Sequence, residues 1–301
     1  MPLPLLQHGT PAVLQPITFD EPSMRVHPLV DKDKAEVLKF LAARPLHTVF
    51  LAGFIHDNGL ISPMNRGTFY AARNERGLLE GVALIGHATL IEARSEAAIA
   101  AFAHIAQKDL QTSIILGEQE KTERFWSYFS QSGKTPRLVS RQLLLERQWP
   151  VGLHREVNGL RQATLDDLPV LLPVYAEMTI QESGINPQKT DPDGFRNRWA
   201  RRIEMKRVWV WTEDQRLVFN ANVICDTTDT IYLEGIYVHP QERGRGHGLG
   251  CLSQLSGHLL RRTRSLCLLV NEQNHGAQAL YRAAGFKMRG YYDSIYLHEQ
   301  N

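Results

Sequence analysis

The chain has 301 residues, 43% hydrophobic and 22% charged. That composition supports two packed domains of ordinary size and argues against a mainly disordered chain. Residues 1–149 carry 16 basic and 15 acidic side chains and the remainder 18 and 17. Neither half is a basic nucleic-acid module. Residues 1–23 are proline-rich and read as an extended arm. Residues 25–30 read as a strand, 33–43 and 48–56 as helices, 68–73 and 78–85 as a hairpin around Asn74–Gly77, and 89–93 as a strand. Residues 95–108 read as a helix with Ser95 as its cap, 112–116 as a strand, 118–131 as a helix and 137–146 as a strand. A linker over 150–157 follows. The order then repeats: strand 160–163, helix 164–181 ended by Gly184, helix 191–205, and hairpin strands 208–212 and 217–224. Strand 230–238, helix 248–262, strand 266–270, helix 275–284 and strand 287–297 complete it. The expected fold class is therefore α/β with mixed sheets, one pattern written twice. A first unit spans 24–149 and a second 158–301.

Three cysteines, Cys225, Cys251 and Cys267, make an odd set without Cys-x-x-Cys spacing. They read as buried thiols in a reducing, cytoplasmic setting. The first residues lack a basic leader and no run is long enough to span a bilayer, so neither secretion nor a membrane partner is expected. Twelve histidines show no metal-ligand spacing, and no metal is implied.

The informative segment lies between strand 230–238 and the next helix: Val238-His-Pro-Gln-Glu-Arg243-Gly244-Arg245-Gly246-His247-Gly248-Leu249-Gly250. Glycines allow tight turns, free N–H groups at a helix start attract anions, and Arg243 and Arg245 add positive charge. The pattern points to a pyrophosphate cradle. It does not fit the Gly-x-Gly-x-x-Gly dinucleotide fingerprint, and Gly133-Lys134-Thr135 lacks the first glycine of a P-loop, since residue 128 is Tyr.

With Asn271-Glu-Gln-Asn274-x-x-Ala277-x-x-Leu280-Tyr281-x-x-x-Gly285-Phe286 downstream, the segment resembles the acyl-CoA loop and following helix of the GNAT N-acetyltransferases. The whole chain is similar to tandem GNAT proteins, of which the mycothiol synthase type is one. In such a reading the N-terminal copy is degenerate, for it has only Arg94 where the second half has its glycine loop. The resemblance implies acetyl transfer from acetyl-CoA to a primary amine of a small molecule or peptide, by direct attack in a ternary complex. It implies cofactor contacts from Ile236, Tyr237, Val238, Arg243, Gly244, Arg245, Gly246, His247, Gly248, Leu249, Asn274 and Tyr281. Tyr281 matches the general acid to the CoA sulfur. Glu234 is the first choice for base or substrate contact, and Glu182 a second for the acceptor wall. The acid that often precedes the asparagine segment is replaced by Leu268, Leu269 and Val270. That departure keeps a non-catalytic acyl-CoA sensor open as the alternative. Even charge and an intact cradle argue against aminoacyl transfer from tRNA. A homodimer is left open.

Overall fold

The structure, a computed structural model, describes residues 24–109, 111–152 and 156–298; the arm expected over 1–23 lies outside them. The first half contains β1 (Arg25–Pro28), α1 (Lys34–Leu41), α2 (Val49–Asn58), β2 (Gly67–Arg73), β3 (Leu79–Gly86), β4 (Ala88–Ala93), α3 (Glu96–Gln107), β5 (Ile114–Glu118), α4 (Gln119–Phe129) and β6 (Pro136–Arg147). The second contains β7 (Arg161–Gln162), α5 (Leu168–Ser183), α6 (Pro187–Thr190), α7 (Pro192–Glu204), β8 (Val208–Glu213), β9 (Arg216–Asp226), β10 (Thr230–Val238), α8 (His247–Leu259), β11 (Ser265–Asn271), α9 (His275–Ala283) and β12 (Lys287–Leu297). The expected elements are present with ends shifted by a turn or less. The short α6 is an addition: Asn186 caps it through its side chain, and Pro187 opens it.

All twelve strands among the described residues join one sheet, in the order β1-β2-β3-β4-β5-β12-β6-β11-β10-β9-β8-β7. Only β4–β5 and β10–β11 are parallel. The order is symmetric about its centre, except that the two halves exchange their last strands. β12 lies between β5 and β6 of the first half, and β6 lies beside β11 of the second. Pairing therefore crosses the 150–157 boundary in both directions.

Helices cover both faces, as hydrophobic spacing at three and four residues requires. In the second half, α8 and α9 bury Leu252, Leu255, Leu259 and Tyr281 on one face of the sheet. On the other face, α5 and α7 bury Leu171, Tyr175, Phe195 and Trp199. The first half repeats this with α3 and α4 on one face and α1 and α2 on the other.

α2 also crosses to the second half. Val49 shares a core with Cys225, Tyr232 and Cys267, and the Phe50 and Tyr232 rings stand 4.4 Å apart. Asp57 takes a bidentate ion pair from Arg207, and Arg201 donates to Asn58 at 2.9 Å. Gly53 sits so close to β9 that a Cβ there would lie 2.6 Å from the Cβ of Cys225. Gly53→Ala must push α2 off the sheet. An expected loss of about 1–3 kcal/mol follows from such overpacking, readable by urea unfolding. An unchanged midpoint would contradict the close approach.

Candidate active site

The site begins where two parallel strands part. β10 and β11 pair only from Thr230–Ser265 to Leu233–Leu268. Beyond that, β10 stays with β9 and β11 stays with β6, so a V opens between them. A register shift between Glu234 and Tyr237 bends β10 at the mouth of the V. Gly235 makes the bend possible with a φ of 63°. A Cβ there would stand 2.4 Å from Nδ2 of Asn222. Behind the bend, Asn220 donates from Nδ2 to the Gly235 carbonyl at 2.7 Å. The Tyr175 hydroxyl lies 2.8 Å from Oδ1 of both Asn220 and Asn222. A hydroxyl has one proton, so one amide must present its NH2 group instead. Turning the Asn222 amide does so and gives its otherwise unpartnered Nδ2 a partner.

The glycine loop follows. Gly244 and Gly246 take φ of 76° and 81°, a left-handed geometry that side chains resist, and Gly246 caps α8. The first helical bond runs from Gly250 N to Gly246 O at 3.0 Å. The N–H groups of His247, Gly248 and Leu249 therefore precede any helical acceptor. Gly248 is small for another reason: a Cβ would lie 2.8 Å from Cγ2 of Val238, so it lets α8 press against β10.

These elements, α9 and the outer side of α5 enclose a cavity of about 630 Å³. Ile236, Tyr237, Val238, Arg243, Gly244, Gly246, His247, Gly248, Leu249 and Asn274 all line it. Glu177 and Gln181 of α5 line it too, and sequence reading did not single them out. Asn274 caps α9 by accepting from Ala277 N at 3.1 Å, which leaves the NH2 group of its amide for a ligand. Arg243 donates to the Val238 carbonyl at 3.1 Å. Arg245 is placed differently. It pairs with Glu242 at 3.1 Å and is not among the residues lining the cavity. Arg216 also binds Glu242, at 2.8 Å, and holds its carboxyl below the usual range.

Tyr281 is only 7% exposed, against Phe286, and does not line the cavity. Burial pushes its pKa up, so the phenol keeps its proton throughout the physiological range. Glu182, at the end of α5, adds its negative charge to that shift, which puts it near Tyr281. Glu182 and Glu234 lie within electrostatic reach of each other. Both side chains reach solvent, though neighbouring protein partly displaces water from them, and neither lines the cavity. Burial there raises Glu182 to about 7, with the Glu234 charge adding to it. Burial also raises Glu234, against the pull of Arg202. The two titrate as one system. Arg202 reads in sequence as part of a solvated helix face, because α7 spacing alone does not show what lies opposite.

The corresponding V of the first half is plugged. β4 and β5 pair over Ala88–Ile114 to Leu90–Leu116 and then part. Arg44 and Lys121 fill the mouth, each bridging Glu92 and Glu118 at 2.6–3.1 Å. Ser95 caps α3 directly, so no glycine loop intervenes.

Residues 204–288 match the family model of the acetyltransferase (GNAT) domain. No curated protein matches the chain. Among solved structures, a Drosophila protein aligns with a TM-score of 0.64 at 13% identity, over 92% of this chain and 99% of its own. A GNAT-family acetyltransferase from Colwellia psychrerythraea aligns at 0.57 and 14%, over 91% and 100%. A tandem GNAT protein from the clavulanic acid biosynthesis pathway aligns at 0.57 and 15%, over 93% and 100%. At such identities these are likenesses of fold. The splayed strands and the glycine loop agree with that fold, and residues 204–288 match the acetyltransferase (GNAT) domain within it.

Proposed function

We propose that the second half transfers an acetyl group from acetyl-CoA to a primary amine, in one ternary complex. The observation that carries this is the V between β10 and β11, opening beside a helix N-terminus whose first N–H groups are free. The α8 N-terminus and Arg243 suit the pyrophosphate. The unpaired edge of Ile236, Tyr237 and Val238 suits the amide groups of the pantetheine arm. Acetyl-CoA supplies the activated acyl group. The chain's residues handle protons: Glu234 with Glu182 takes one from the incoming ammonium, and Tyr281 gives one to the departing sulfur. The neutral nitrogen bonds the acyl carbon as the carbon–sulfur bond breaks. The first half, with its V plugged by ion pairs, supports this site rather than binding a second CoA.

Two measurements test the roles. Tyr281→Phe should lower kcat by about 100-fold or more, with KM for acetyl-CoA little changed. An undiminished kcat would remove Tyr281 as the acid. The pH dependence of kcat/KM should rise through about 7, because the carboxyl pair must lose its proton to accept another. In Glu182→Gln the repulsion is gone, Glu234 becomes easier to ionise, and the acid limb should move down by roughly one pH unit. A limb that stays in place would assign it to another group.

A further inference from the structure

Beside the cavity, charges of both signs gather without pairing. Glu182 and Glu234 make no hydrogen bond or ion pair among the described residues. Arg202 opposes Glu234 electrostatically but stacks on Trp199, 4.7 Å from the ring centroid, instead of bonding the carboxylate. Arg137, from β6 of the first half, completes the group. Its Nη1 lies 3.3 Å from where a Cβ on Gly184 would stand, two residues after Glu182. Its guanidinium stands 5.8 Å from the Tyr296 ring, and its Nη2 is buried without a hydrogen-bond partner. Burial raises the Tyr296 phenol, the charges of Glu182 and Glu234 raise it further and Arg137 opposes them, so all three lie within electrostatic reach of that ring.

The buried carboxylates among the described residues, by contrast, are satisfied. Glu92 holds two cations, Asp167 is bidentate with Arg161, and Asp293 is bidentate with Arg141. Unlike charges held apart where protein partly displaces water gain from a group that bridges them. A ligand with an ammonium at one end and a carboxylate at the other does so.

We infer that the acceptor amine also bears a carboxylate: its ammonium enters beside Glu182 and Glu234, its carboxylate meets Arg137, and the substrate is a small amino acid. The inference rests on the acyl-transfer reading and adds a class of acceptor to it. It also gives the first half a part in recognition, since Arg137 belongs to β6.

The test uses the full chain, acetyl-CoA, and a panel of amino acids each paired with its own amide, with CoA release as the readout. The expected result is a preference in kcat/KM for the free carboxylate of about 10- to 100-fold, the scale of one charge-assisted hydrogen bond. Arg137→Met should bring the ratio towards one, and Arg137→Lys should restore part of it. Acetyl-CoA affinity, measured by calorimetry, reports that each variant is folded. Amides used as well as or better than the acids overturn the inference, as does a ratio that Arg137→Met leaves intact. An equal loss on both members overturns it as well, because Arg137 then only neutralises Glu182. If acetyl-CoA binds but no member of the panel reacts, the inference fails and acyl transfer to other amines stands. If acetyl-CoA does not bind, the acyl-transfer reading fails with it.

Discussion

Expressed alone, residues 158–301 are expected to be insoluble or unfolded, and co-expression with 1–157 is expected to restore a soluble pair. The cause is the strand exchange. In the intact sheet, β12 pairs along its length with β6, from Lys287–Glu146 to Leu297–Pro136. On its other edge it pairs with β5, from Tyr292–Glu118 to Tyr296–Ile114. Without the first half, β12 loses both neighbours and β11 loses β6. Tyr292, Ile295 and Leu297, each no more than 5% exposed, lose their cover, and so do Cys225 and Tyr232 beneath α2. A domain's net stability is only about 5–15 kcal/mol, and burying three such side chains contributes about 5–9 kcal/mol, a comparable amount. Exposed strand edges then recruit other chains. Solubility on expression and circular dichroism read the outcome. A soluble isolated half that binds acetyl-CoA would mean that β12 folds back onto β11 in place of β6, and would sink this account of the fold.

The second large effect is at the cradle. Gly246→Trp should abolish measurable acetyl-CoA binding, a loss of at least about 100-fold, while the chain stays folded. Position 246 has no atom within 4 Å of a built Cβ, so the protein interior does not resist a side chain there. The left-handed φ of 81° does resist it, and the cap of α8 sits at that residue. An indole at the cap also occupies space that a phosphate needs beside the N–H groups of His247 and Gly248. Calorimetry reads the affinity and thermal unfolding reads the fold. Unchanged binding would remove the loop from the cofactor site. Gly248→Val separates two causes of failure: its clash is with Val238, so it should lower stability as well as binding.

Much of the molecule is legible in the residues alone. Strand alternation, Ser95 and Asn274 as caps and Gly184 as a stop locate elements because these signals act over a few neighbours. The glycine loop and the Asn274–Tyr281 helix announce the cradle for the same reason: backbone conformation and helix register are local. The pairing of Glu182 with Glu234 is less accessible. They lie on α5 and β10, and only the fold makes them repel each other. Sequence ranks Glu234 ahead of Glu182, whereas the shared environment makes them one titrating unit.

Other features have no local signal at all. Arg202 reads as a surface cation, and Arg137 as an ordinary strand residue of the first half. Arg245 reads as a phosphate ligand, yet Glu242, three residues earlier, takes it. Sequence by itself determined the two-fold repeat of elements, the glycine loop before α8 and the lack of such a loop before α3. Tertiary structure alone decided that the repeats close one sheet by exchanging β6 and β12, and that α2 seals the second half's core. It also decided which charges pair and which, like Glu182 and Glu234, stand without a partner among the described residues. The reason is physical: strand and helix formation follow from nearby residues, whereas the exchange of β6 and β12 and the docking of α2 depend on contacts between residues more than a hundred positions apart.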